Sequence, residues 1–161
     1  MSRKTEKYIN IIIRPQHIIR HVFLALIILF LRANPVSAQN GSGDTLTLIF
    51  TGDIMGHDSQ ILSALKMGDG TYDYSSCFKH VRSYISSADI AVGNLEVTLA
   101  GAPYKGYPAF SSPDELAEEL KNTGFDILVN ANNHAADRRK KGLERTIRVL
   151  DSLEIVQTGV F

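Results

Sequence analysis

The sequence predicts an α/β fold in which a parallel sheet is flanked by helices. Three observations carry that expectation. Strand-length apolar runs alternate with segments of helical spacing, in the order β-α-α-β-α-β-α-β. The runs are short and almost wholly apolar, as parallel strands buried between layers tend to be. The first three of them end in polar clusters, and the carboxyl ends of strands are where open α/β sheets bind their ligands.

The elements follow in chain order. In TLTLIFTGD, Leu46, Leu48 and Phe50 alternate, giving a strand that ends near Gly52. Helical spacing runs from about Asp58 to Lys66 and again from Ser75 to Ser86, where Phe78, Val81, Arg82 and Ile85 share a face. ADIAVGN (residues 88–94) is the second strand, and the Gly- and Pro-rich residues 95–110 read as a long surface loop. SSPDELAEELKNTGF is a helix with Ser112 as its cap, Pro113 in its first turn, Glu115 completing a capping box and Gly124 as its stop. FDILVNA is the third strand. GLERTIRVLDSL is a helix with Leu143, Ile147, Leu150 and Leu153 on its apolar stripe, and EIVQTG opens a fourth strand. Helices are expected on both faces of the sheet.

Charge is unevenly divided. The first 38 residues carry six Lys and Arg and one acid, whereas 11 basic and 16 acidic residues follow from Gln39 onward, a net charge of about −5. An acidic body offers no footprint for nucleic acid. The leader reads as a secretory signal peptide: a basic segment, the apolar run VFLALIILFL (residues 22–31), and small residues at Val36-Ser37-Ala38 for cleavage after Ala38. Ten apolar residues cover about half of the ~20 that span a bilayer, so membrane association through this segment requires that it stay uncleaved. The expected organisation is a signal peptide over residues 1–38, a flexible lead-in over 39–45 and one domain over 46–161, exported to the periplasm or cell envelope. Cys77 is the single cysteine, which excludes an intrachain disulfide and reads as a small buried apolar residue. No dinucleotide fingerprint, P-loop or serine nucleophile elbow occurs.

The polar clusters are TGDIMGHD with Asp53, His57 and Asp58; GNLE with Asn94 and Glu96; and NANNHAAD with Asn132, Asn133, His134 and Asp137. Carboxylate, amide and imidazole donors suit Zn, Mn, Fe or Mg ions better than a thiolate site would. Singly, each has a structural reading: Asp53 as a turn cap, GNLE as a helix start, His134 as a hydrogen-bonded loop residue, Asn130 as a strand end. Their recurrence at three successive strand ends favours a site. Residues 138–141, RRKK, read most simply as a solvated helix face, although cations there oppose the helix dipole and leave room for an anionic substrate.

Together TGDIM, ADIAVGNLEVTLAG, YPAFSSPDELAEELKNTGFDILVNANNHAAD and KGLERTIRVLDSLEIVQTG resemble the CapA family of bacterial capsule (poly-γ-glutamate) synthesis proteins, a branch of the calcineurin-like metallophosphoesterase superfamily. The resemblance runs from about Leu46 to the C-terminus. It implies a partial four-layer α/β/β/α metallophosphatase-like fold, of which this chain would be the N-terminal part. By the same resemblance, Asp53, Asn94, Glu96 and Asn133 would be metal ligands or lie beside the metals, and His134 would be the catalytic residue. His134 would stabilise charge on a transferring group or protonate a leaving group. The implied cofactors are divalent Mn, Zn, Fe or Mg ions; the implied partners are an anionic polymer or the capsule-synthesis machinery. The readings that follow are an exported protein of capsule or poly-γ-glutamate-type polymer synthesis or export with a metal-dependent phosphoesterase-like site, a non-catalytic accessory that keeps the fold and binds polymer or synthase partners, and an inactive fragment of a longer protein. One departure stands out: Met55 occupies the position of the histidine in the superfamily's first, D-x-H motif.

Overall fold

The computed structural model describes residues 43–160, and within it the compact unit begins at Thr45. Four strands form one sheet: β1 (Leu48–Ile54), β2 (Ile90–Leu95), β3 (Ile127–Val129) and β4 (Val156–Thr158). Every pair is parallel and the spatial order is β1-β2-β3-β4. The helices are α1 (Asp58–Met67), α2 (Ser75–Phe78), α3 (Arg82–Ile85), α4 (Glu115–Thr123) and α5 (Arg139–Ser152). The expected α/β class with a parallel sheet and flanking helices is therefore observed. The expected leader and its cleavage position lie outside the described residues.

Helices on both faces were expected, and among the described residues only one face carries them. When parallel neighbours follow chain order, right-handed crossovers put every connecting helix on the same side. Burial alternates accordingly along β2, where Ala91, Gly93 and Leu95 are buried and Ile90, Val92 and Asn94 are half-buried. The helix face holds the core, in which Leu95, Leu99, Phe110, Leu120, Leu128 and Leu150 are each 0% exposed. The opposite face is apolar and open. Register sets Leu48 beside Ile90, Phe50 beside Val92, Val92 beside Ile127 and Ile127 beside Val156, while Phe50 stays 71% and Val156 61% exposed.

The helix expected over residues 75–86 is broken into the single turns α2 and α3. Helix α4 begins at Glu115 behind Asp114, not behind Ser112. Ser112 cannot cap it, because its backbone N–H is drawn to the Thr98 carbonyl (2.9 Å) and its side chain is buried. Gly124 ends α4 as expected: at φ 107°, a conformation that disfavours side chains, its N–H reaches back to Leu120 and Lys121. Cys77, expected in the core, is exposed on α2.

The segment between β2 and α4 departs furthest from expectation. Val97, Thr98 and Leu99 and then Phe110, Ser111 and Ser112 are buried, so these ends of the supposed surface loop belong to the core. Burial is tolerated because the backbone groups find partners. The Thr98 hydroxyl donates to Phe110 O (2.6 Å), Ser111 Oγ donates to Gly101 O (2.8 Å), and Lys105 and Ser111 exchange backbone hydrogen bonds. Helix α5 starts three residues before the GLERTIRVLDSL segment and buries Gly142, Thr146 and Leu150, a stripe rotated from the predicted one. Gly142 sets that rotation: a Cβ on it would stand 3.2 Å from the Ala100 Cβ, so its absence lets helix and chain approach closely. Thr146 Oγ1 then donates to Gly142 O (2.9 Å) and accepts from Leu99 N (2.8 Å).

The two faces should respond differently to truncation. Leu128→Ala, on the buried face, should cost about 2–5 kcal/mol in urea unfolding, whereas Phe50→Ala should cost below about 1 kcal/mol. Equal losses would mean that the outer face is covered in solution.

Candidate functional site

A β-bulge builds the site. Phe50 pairs with Val92 but Asp53 pairs with Asn94, so Thr51 and Gly52 together stand against Gly93 alone. A regular ladder would have set Gly52 beside Asn94 and turned Asp53 to the helix face. The extra residue brings Asp53 next to Asn94 at the carboxyl edge of the sheet. The chain then keeps step beyond β2, with Glu96 N donating to Ile54 O at 3.0 Å.

Asn94 joins the two carboxylates. Its side-chain Nδ2 donates to Asp53 Oδ1 (2.8 Å) and to Glu96 Oε2 (3.0 Å). Its Oδ1 accepts from Asn132 Nδ2 (3.0 Å), which also donates to Leu95 O (3.0 Å). Asn132 Oδ1 in turn accepts from the His134 backbone N–H at 3.1 Å. One network therefore links the ends of β1 and β2 with the chain beyond β3.

The electrostatics follow from that geometry. Desolvation, and then the Asp53 carboxyl within hydrogen-bond reach, push the Glu96 carboxyl above its ordinary range. The charge of His134 and the amide of Asn94 act in the opposite direction and are weaker. Like charges this close disfavour ionisation of Glu96, a repulsion that a bound cation would relieve.

His134 is fixed on two sides. Its Nδ1 lies 2.9 Å from Asp137 Oδ2, which also accepts from Phe110 N at 2.8 Å. Its ring meets the Phe110 ring edge-on at 4.7 Å. A carboxylate at Nδ1 favours a proton there and leaves Nε2 as the other polar atom of the ring. The His57 ring also meets Phe110 edge-on, at 5.2 Å.

The predicted residues thus divide. Asp53, Asn94 and Glu96 are brought together, and His134 joins them through Asn132. Asn133, proposed as a ligand, is exposed and stands outside the hydrogen-bonded set, where Asn132 supplies the amide. His57 packs on Phe110, and Asp58 Oδ1 accepts from Gly106 N at 2.8 Å, which ties α1 to the following loop. Met55, which stands where the resemblance implied a histidine, packs against the core. Asn132 and Asp137 matter more than the sequence reading allowed. The spacing of His134 and Asp137, three residues apart, was the available signal.

Among the described residues no group of three or more His, Cys, Asp and Glu side chains is placed to hold a metal ion. The donors that do converge are two carboxylates and the amide side chain of Asn94. Only the two carboxylates are oxygen donors of the kind a hard divalent cation takes, because the Asn94 oxygen is turned to Asn132 and its N–H groups face Asp53 and Glu96.

Comparison with known proteins places the chain. Residues 47–161 match the family described as bacterial capsule synthesis protein PGA_cap. The chain is similar to the capsule biosynthesis protein CapA of Bacillus anthracis, at 27% identity over 129 residues, which is 75% of this chain and 30% of that protein. It is similar to the PGA biosynthesis protein CapA of Bacillus subtilis strain 168, at 28% over 158 residues, 87% of this chain and 40% of that protein. An uncharacterized protein, y4sH, of Sinorhizobium fredii strain NBRC 101917 / NGR234 is 29% identical over 128 residues, 74% of this chain and 27% of its own length. The chain therefore spans between 27% and 40% of the length of these relatives. The match over residues 47–161 covers most of the sequence, and the chain belongs to the PGA_cap family of bacterial capsule synthesis proteins.

Proposed function

We propose that this chain acts in the synthesis or export of an anionic capsular polymer of the poly-γ-glutamate type, through a divalent-cation site at the ends of β1 and β2. The observation that carries the reading is the Asn94 amide donating to both Asp53 and Glu96. Family membership and the capsule-related names of the Bacillus relatives support the polymer. The leader read in residues 1–38 supports a place in the periplasm or cell envelope.

The residues take distinct roles in this proposal. Asp53 and Glu96 hold the cation, and Asn94 fixes the separation of their carboxylates. Asn132 clamps Asn94 and orients the His134 backbone. His134, steadied by Asp137, presents Nε2 to protonate a leaving oxygen or to stabilise negative charge on a transferring group. A bound divalent cation supplies Lewis-acid polarisation and an activated water, the chemistry of phosphoester hydrolysis. A second reading, a non-catalytic accessory that keeps the fold and binds polymer, is favoured by Met55 and by the absence of a third acidic, His or Cys ligand among the described residues.

Calorimetric titration with Mn²⁺ or Mg²⁺ should show one site, weakened at least ~10-fold by Asp53→Asn or Glu96→Gln. Unchanged cation binding in both variants would remove the site. Proton and cation compete for the same carboxylates, and the Glu96 value is raised in the fold. Cation affinity should therefore climb as pH rises through that raised value. In the cation-free protein the same group works the other way. The folded state holds the proton more tightly than the unfolded chain, so the contribution of Glu96 to stability falls as pH rises.

Turnover separates the two readings. The catalytic one expects hydrolysis of a chromogenic phosphodiester in the presence of Mn²⁺. His134→Asn should abolish it while leaving cation affinity intact. Cation binding without turnover in the unmodified protein would select the accessory reading.

A further inference from the structure

Basic residues are concentrated on one helix of an acidic body. Six of the 11 Lys and Arg that follow Gln39 fall between Arg138 and Arg148. Four of these, Arg138, Lys141, Arg145 and Arg148, line a cleft of about 410 Å³ between α5 and the turn at Ala100–Ala102. Their spacing keeps them on one side of the helix, along a stripe of about 15 Å. The floor is bare: Gly142 and Gly101 lie there, and a Cβ on Gly101 would stand 3.4 Å from the Arg145 guanidinium.

Two of the four are anchored. Arg138 donates to the carbonyls of Ala109 (3.1 Å) and Pro103 (3.2 Å). Arg145 grips both oxygens of Asp114 at 2.7 Å. Glu144, which also lines the cleft, pairs outward with Lys140 at 3.6 Å. Lys141 and Arg148 have no acidic partner among the described residues. Like charges along one stripe repel, and those in the first turn also oppose the helix dipole. A solvated helix face would gain nothing from that arrangement; a polyanion would offset both costs.

We propose that this cleft is a docking track for a linear polycarboxylate, a deepening that rests on the capsule-polymer reading above. Arg145 already holds a carboxylate in two-pronged geometry at the cleft wall. A γ-linked glutamate chain has five backbone atoms per residue in place of three, so in an extended chain successive carboxylates recur roughly every 6 Å and two or three would lie along the stripe. The stripe begins one residue after Asp137, which steadies His134. A polymer laid along α5 is thereby led toward the strand-end site.

The probe is poly-glutamate titrated into the full chain by calorimetry at ~0.05 M and ~0.5 M salt, conditions of weak and strong screening. The expected results are binding that fades at high salt and a loss of at least ~10-fold in Lys141→Glu/Arg148→Glu. The milder Lys141→Gln/Arg148→Gln pair, with its circular dichroism unchanged, should give a smaller loss in the same direction. Lys66→Glu/Lys79→Glu, which changes net charge equally but lies outside the cleft, should stay within ~3-fold of the unmodified protein. Every titration is run with EDTA and no added divalent cation, which keeps this test separate from that of the cation site. The proposal is overturned if the cleft variants bind normally or if the outside pair loses as much. It is equally overturned if polyphosphate of matched charge binds as tightly as poly-glutamate.

Discussion

Asn94 has one side-chain amide, and its two N–H groups point at two different carboxylates. That single residue sets the distance between Asp53 and Glu96 and keeps like charges from drifting apart into solvent. Much of the surrounding structure serves the arrangement. The bulge at Thr51 and Gly52 delivers Asp53 to the correct side of the sheet. Asn132 occupies the amide oxygen from the next strand end. Without the bulge, Asp53 would face the helices and Glu96 would be an ordinary half-buried carboxylate.

The same edge explains why the chain beyond β2 is buried. Val97 to Leu99 run under α5 and are tied there by Thr146, while Phe110 returns to form the wall between His57 and His134. Asp137 fastens Phe110 and His134 at once. A stretch rich in Gly and Pro therefore becomes a rigid part of the site, held by side-chain hydroxyls and a carboxylate in place of sheet or helix.

The strands were legible in the sequence because their apolar runs are short and sharply ended, and Gly124 marked its helix end unmistakably. Strand polarity put the three polar clusters at one edge, and the family resemblance singled out Asp53, Asn94, Glu96 and His134 among them. Other features were not legible, for local reasons. A bulge changes parity without changing composition, and only Gly52 hinted at it. The α5 stripe rotated because Gly142 permits an approach that apolar periodicity does not record. Asn132 and Asn133 are chemically identical neighbours, and only the turn after β3 decides which one faces Asn94. The one-sided sheet follows from strand order, which residue patterns do not encode.

The account stands on one shared electrostatic environment at Asp53 and Glu96. Carbon-detected NMR titration of the Glu96 carboxyl, in the unmodified protein and in Asp53→Asn, measures it directly. The account predicts that Glu96 titrates above the ordinary carboxylate range and moves part of the way back when Asp53 loses its charge. A Glu96 that titrates at its ordinary value, or that does not respond to Asp53→Asn, would contradict it.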